Sequence, residues 1–117
     1  MINHFKEMPV WKEAFRISLI VHDLTKTFPK CEDYGLTSQM RRAAVSTFSN
    51  ISEGFGRMGN HDKRKYYIIS RGSMMELEGQ LLYAVKVEYI TIDQANRIHS
   101  LLPDWYYSIN KLIKSMG

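Results

Sequence analysis

Apolar residues recur along two stretches of this chain at alternating gaps of three and four, and that spacing admits one kind of element. Val10, Ala14, Ile17, Val21, Leu24 and Phe28 follow one another at 4, 3, 4, 3 and 4 residues, which puts all six on one stripe of an α-helix. Ala95, Ile98, Leu102, Trp105, Ile109, Leu112 and Met116 repeat the pattern at 3, 4, 3, 4, 3 and 4. No stretch alternates polar and apolar over six residues, so strands find no support. The chain is expected to be all-α.

Helix punctuation divides it into four. Pro9 suits a first helical position, where its missing N–H would be unpaired in any case, and Pro29 with Lys30-Cys31-Glu32-Asp33 closes the first helix. A second helix is expected from Leu36 to Gly54, with Leu36, Met40, Ala43, Thr47 and Ile51 inward, ended by Gly54, Gly56 and Gly59. Asn60 offers an N-cap for a third helix reaching Glu88, with Asp62 in its first turn and Tyr66, Ser73, Leu77, Leu81 and Ala84 inward. The fourth starts at Thr91, where Thr91 and Gln94 have capping-box spacing. Pro103 lies inside its stripe and predicts a kink or break near His99, because proline removes a backbone hydrogen bond and crowds the preceding turn. Short connections favour antiparallel neighbours. At 117 residues the chain makes one domain, residues 1–117, an antiparallel up-down-up-down four-helix bundle.

Two features exceed a generic bundle. The second helix carries Ala43, Ala44, Ser46, Ser49, Ser52 and Gly54, and the third carries Ser70, Gly72, Ser73 and Gly79; residues this small let two backbones approach closely. There is also more apolar surface than four stripes use. Tyr66, Tyr67, Ile68 and Ile69 point in four directions around one helix, Trp11, Phe15, Leu19 and Ile20 lie off the first stripe, and Tyr106 and Tyr107 adjoin Trp105. The surplus predicts a subunit interface.

Catalytic and metal chemistry find little footing. His4, His22, His61 and His99 include no i, i+4 pair and none joins Cys31, so no metal site and no cofactor is expected. Cys31 is single, which fits a reducing compartment. Glu76 and Glu78 are two apart on a helix and cannot face one another. Asn50 and Glu53 sit in an otherwise small and apolar face; they are either ligand or RNA contacts or a buried hydrogen-bonded pair with Ser46, Ser49 or Ser73, and the buried pair is preferred. The N-terminal residues lack the charged start and apolar core of a signal peptide, and no apolar run reaches the ~18 residues of a membrane span. A cytoplasmic location with no membrane contact is expected.

The charge is unevenly placed. The net charge of +4 is mild, but residues 41–71 hold Arg41, Arg42, Arg57, Lys63, Arg64, Lys65 and Arg71 against Glu53 and Asp62, a net +5, leaving −1 elsewhere. Arg57, Lys63, Arg64 and Lys65 flank one turn, and Arg41 and Arg42 lie roughly 22 Å up the second helix. A cluster and a more distant pair can track a phosphate backbone, with Tyr66 and Tyr67 placed to stack on bases. A solvated helix end with no partner is the plainer alternative.

The runs Tyr34-Gly35-Leu36-Thr37-Ser38-Gln39-Met40-Arg41-Arg42-Ala43-Ala44-Val45-Ser46 and Ser49-Asn50-Ile51-Ser52-Glu53-Gly54-Phe55-Gly56-Arg57 resemble the four-helix bundle protein family encoded in 23S rRNA intervening sequences. Val10-Trp11-Lys12-Glu13-Ala14, Phe28-Pro29, Gly72-Ser73 and Glu76-Leu77 add to the likeness. Where that family usually has Ile-Pro before Ser-Asn, this chain has Thr47-Phe48. The resemblance implies a four-helix bundle assembled as a ring-like homopentamer. It extends to the accessory protein of diversity-generating retroelements, which implies nucleic-acid binding beside a reverse transcriptase. No catalytic residue carries over.

The expectation is therefore a non-enzymatic, homo-oligomeric RNA- or DNA-binding protein contacting its ligand through Arg41, Arg42, Arg57, Lys63, Arg64 and Lys65. The alternative is a scaffold or assembly module binding protein through its aromatic surplus.

Overall fold

Pro103 divides the last helical stripe in two. In the computed structural model, which describes residues 1–117, the helices are α1 (Pro9–Thr25), α2 (Leu36–Phe55), α3 (Asn60–Lys86), α4 (Ile92–His99) and α5 (Leu102–Ser115). Short 3-10 turns lie at Phe5–Glu7 and Lys30–Glu32. The break falls at Ser100 and Leu101, beside the expected His99, and Pro103 takes up the first turn of α5, where its missing N–H costs nothing. Ile98, Leu102, Trp105 and Ile109 are nonetheless all buried, so α4 and α5 together act as the fourth helix. The Thr91–Gln94 capping box forms in both directions.

Each of the four positions packs on two neighbours: α2 on α1 and α3, and α5 on α3 and α1, so that α1 faces α3 and α2 faces α5 across diagonals. Consecutive helices meet end to start, as antiparallel neighbours do. Arg41 near the start of α2 reaches Thr25 at the end of α1, and Lys63 near the start of α3 reaches Phe55 at the end of α2. One core joins Ala14, Ile17, Val21, Met40, Ile51, Met74, Leu77, Leu81, Ile98, Trp105 and Ile109.

Several expected details shift. Phe28 is buried but lies beyond α1, which ends at Thr25; Pro29 bars its predecessor from helical conformation. Asn60 does not cap α3. The Lys63 N–H bonds to the Gly59 carbonyl at 3.0 Å, so the helix closes one residue earlier on Gly59, which makes no side-chain cap bond. The first half of α3 is also rotated from the expected phase: Tyr67, Ser70 and Met74 are buried, while Tyr66 and Ser73 are only half-buried.

That rotation follows from how closely α3 lies on α2. The Ser70 hydroxyl donates to the Thr47 carbonyl at 2.6 Å, and Ser46 and Ser73 share a hydrogen bond of 2.8 Å. At Gly54 an added Cβ would lie 2.7 Å from Tyr67 Cε1 and 3.2 Å from the Lys63 carbonyl oxygen, so the Tyr67 ring occupies the space of the missing side chain. Gly72 and Gly79 take no part in this approach, since a Cβ there would meet nothing within 4 Å. They face outward, among Ile68, Met75 and Leu82, which are 42%, 43% and 60% exposed. Spaced by seven, those three form an apolar stripe on the side of α3 away from the core. No helix is long and apolar enough to cross a membrane.

A polar latch closes the far end of the bundle. Glu32 Oε1 accepts from the Leu36 N–H at 3.0 Å and Oε2 accepts from the Tyr89 hydroxyl at 2.7 Å. The Leu36 amide first, and Tyr89 second, hold the Glu32 carboxyl below its ordinary 4.5. The bond to Glu32, with burial adding to it, pushes Tyr89 from 10.0 to about 12. The signs are opposite. The carboxylate's contribution is complete above its ordinary value and lost as pH falls through the lowered one. The phenol's is complete below pH 10.0 and lost as pH rises through about 12. Tyr89→Phe is expected to melt earlier than the wild type at neutral pH and to show a smaller decline in Tm between those two alkaline values. Parallel alkaline declines in the two proteins would show that the bond contributes nothing.

Candidate nucleic-acid interface

Helix ends leave backbone groups without partners, and three of the six expected basic contacts are consumed by them or by neighbouring side chains. Lys63 Nζ donates to the carbonyls of Phe55 at 2.7 Å and Gly54 at 3.4 Å, closing the negative end of α2. At the opposite end of the molecule Arg41 does the same for α1, with Nε donating to Thr25 Oγ1 at 2.8 Å and Nη2 to the His22 carbonyl at 3.4 Å. Arg57 Nη2 donates to the Tyr66 hydroxyl at 2.7 Å and pairs with Glu53 at 3.1 Å, while its guanidinium carbon lies 4.7 Å from the centre of the Tyr66 ring.

Arg42, Arg64 and Lys65 are exposed and make no hydrogen bond or ion pair within the chain. Lys65 Nζ rests 5.6 Å from the Tyr66 ring centre. Arg57, Lys63, Arg64 and Lys65 do gather around the turn joining α2 to α3, whereas Arg41 and Arg42 lie about 15 residues back along α2, roughly 22 Å away.

The tyrosines behave differently from expectation. Tyr67 is 2% exposed, packed against Gly54, and burial raises its pKa; it has no face for a base. Tyr66 is half-buried beneath Arg57 and Lys65. The expected Asn50–Glu53 pair also separates. Asn50 Nδ2 donates to the Ser46 carbonyl at 2.8 Å and to Ser46 Oγ at 2.9 Å, and through Ser46 reaches Ser73. Glu53 instead faces solvent and pairs one turn on with Arg57 at 3.1 Å, because Asn50 spends its amide on Ser46 one turn back.

One cation was missed from sequence. His61, Arg64, Lys114, Met116 and Gly117 line an open depression of about 430 Å³, so the last turn of α5 adds Lys114 to the start of α3. A Cβ at Gly117 would lie 3.2 Å from Arg64 Nε. The signal was topological: in an up-down-up-down bundle the fourth helix ends where the third begins. No three His, Cys, Asp or Glu side chains are close enough together to hold a metal ion.

Residues 6–111 match a family model described as 23S rRNA-intervening sequence protein. No curated protein matches the chain.

Proposed function

Because the chain belongs to the 23S rRNA-intervening sequence protein family, we propose that it is a non-enzymatic, cytoplasmic RNA-binding protein that acts as a homo-oligomer. The observation that carries this reading is the set of unpaired cations, Arg64, Lys65 and Lys114, at the end of the bundle where Arg57 and Lys63 are already anchored. Anchored cations keep their charge in place, and free ones are available to phosphates; together they make the field that draws a polyanion. Arg42, exposed on α2, offers a more distant contact, and Arg41 beside it is anchored on the end of α1. The apolar stripe Ile68, Met75 and Leu82 supports self-association, and a ring of five, the stoichiometry the resemblance implies, would repeat the cationic end around one axis.

The test is binding to a structured RNA across a salt series, with the triple variant Arg64→Glu, Lys65→Glu, Lys114→Glu. Affinity is expected to fall more than tenfold, and the slope of log K against log salt to drop by about 2 to 3. Affinity and slope equal to wild type would overturn the reading. Retained assembly with no RNA binding by the wild-type protein would favour the scaffold alternative, which draws on the aromatic surplus. Tyr107, 68% exposed, then probes that aromatic surplus; Trp105 does not, being part of the core.

A further inference from the structure

The segment from Ser49 to Arg57 sorts its side chains by helical period. Ile51 and Gly54 turn into the core and Asn50 turns to Ser46. Ser49, Ser52, Glu53, Gly56 and Arg57 are left lining one open depression of about 590 Å³, with Phe48 as its apolar wall. Phe48 is held there by other rings, 5.1 Å from Phe15 and 6.0 Å from Trp11 between centres, both edge-on. Trp11 Nε1 also donates to Ser52 Oγ at 2.8 Å, which fixes the floor. At Gly56, which also lines the depression, a Cβ would meet nothing nearer than 3.6 Å, so packing alone does not call for glycine.

Across this surface Glu53 Oε2 lies 3.1 Å from Arg57 Nη2, with the two side chains 52% and 41% exposed. The Tyr66 hydroxyl accepts one hydrogen bond from Arg57 Nη2 and Glu53 Oε2 stands to accept the other, while Arg57 Nε is buried with no partner. Nη2 thus spends both its hydrogens inside the chain, which leaves Nη1 as the other donor without a partner; beside it the two Glu53 oxygens can still accept, so the pair can meet a ligand edge as one row, donor, acceptor, acceptor. Among the bases that row complements the Watson–Crick edge of guanine, which reads acceptor (O6), donor (N1–H), donor (2-amino). Adenine and cytosine each begin with an amino group and follow it with an acceptor, so both meet like with like. Uracil sets its second carbonyl against the carboxylate.

We infer that this depression receives an unpaired guanine of the bound RNA, with Arg57 donating to O6, Glu53 accepting from N1–H and the 2-amino group, and Phe48 covering the ring. The inference rests on the RNA-binding reading above and gives it a base preference that phosphate contacts cannot supply.

The experiment is fluorescence anisotropy with short unstructured RNA oligonucleotides that differ at one central base. Guanine is expected to bind about tenfold or more tighter than adenine, the order of discrimination a bidentate base contact provides. Inosine, lacking the 2-amino group, is expected between them. Glu53→Gln replaces one acceptor by a donor and should remove the preference while the adenine oligonucleotide binds at least as well as to wild type. Equal affinity of wild type for guanine and adenine, or an unaltered preference in Glu53→Gln, overturns the guanine site and leaves the RNA reading intact. No binding of any oligonucleotide and no binding of structured RNA overturns both.

Discussion

Replacing Trp105 by alanine is expected to lower folding stability by about 3 to 5 kcal/mol, the cost of emptying a large aromatic site in a close-packed core. Trp105 is 2% exposed and sits one turn past the break between α4 and α5. Its ring meets Tyr106 edge-on at 5.5 Å, and its Nε1 donates to the Val10 carbonyl at 3.0 Å. Val10 lies in the first turn of α1, so a single side chain fastens the start of α5 to the start of α1. Alanine removes the buried surface, leaves a cavity bounded by helices that cannot all close on it, and loses the hydrogen bond to Val10. Urea unfolding measures the effect. Tyr107→Ala, its exposed neighbour, is the control and should stay within about 0.5 kcal/mol of wild type. A Trp105→Ala loss as small as the control's would show that the fourth helix is not fastened through this ring.

Gly54→Ala is the second large effect, and its sign is opposite to what helix propensity alone predicts. In an exposed helix interior alanine is better than glycine by about 1 kcal/mol. Here the new Cβ would stand 2.7 Å from Tyr67 Cε1 and 3.2 Å from a backbone oxygen. The Tyr67 ring is buried between α2 and α3 and has no open side to move into, so the helices must part at their most extensive contact. A loss of about 1 to 3 kcal/mol is expected. Gly79→Ala tests the same chemistry where the Cβ meets nothing within 4 Å, and there a gain of up to about 1 kcal/mol is expected. Thermal or urea unfolding of the two variants side by side distinguishes a packing glycine from a permissive one; equal shifts would remove the close-approach argument.

These two residues show how far the sequence can be read. The stripe that carries Trp105, the break before it and the capping box at Thr91 were all legible, because helical period and proline chemistry act over one or two turns. Gly54 was legible as small, but not as the seat of the Tyr67 ring, and the helix it was expected to end runs on to Phe55 and caps on Gly56. The choice between Tyr66 and Tyr67 for the inner face depends on how tightly α3 is pressed to α2, and neither helix encodes that alone.

The charge divides in the same way. That the positive excess belongs to residues 41–71 is arithmetic on the sequence. Which cations are free is not, since Arg41 and Lys63 are claimed by helix ends and Arg57 by Tyr66 and Glu53.

By itself the sequence determined an all-α chain, its apolar stripes outside the first half of α3, the interruption at Pro103 and the location of its charge. Each of these follows from backbone geometry repeated over a few residues. Only the tertiary structure decided that Arg64, Lys65 and Lys114 stand unpaired at one end, that Asn50 and Glu53 part company, and that Glu53, Arg57 and Phe48 share a surface depression. Those outcomes depend on which helix end meets which and at what distance, and such contacts join residues that the local period leaves independent.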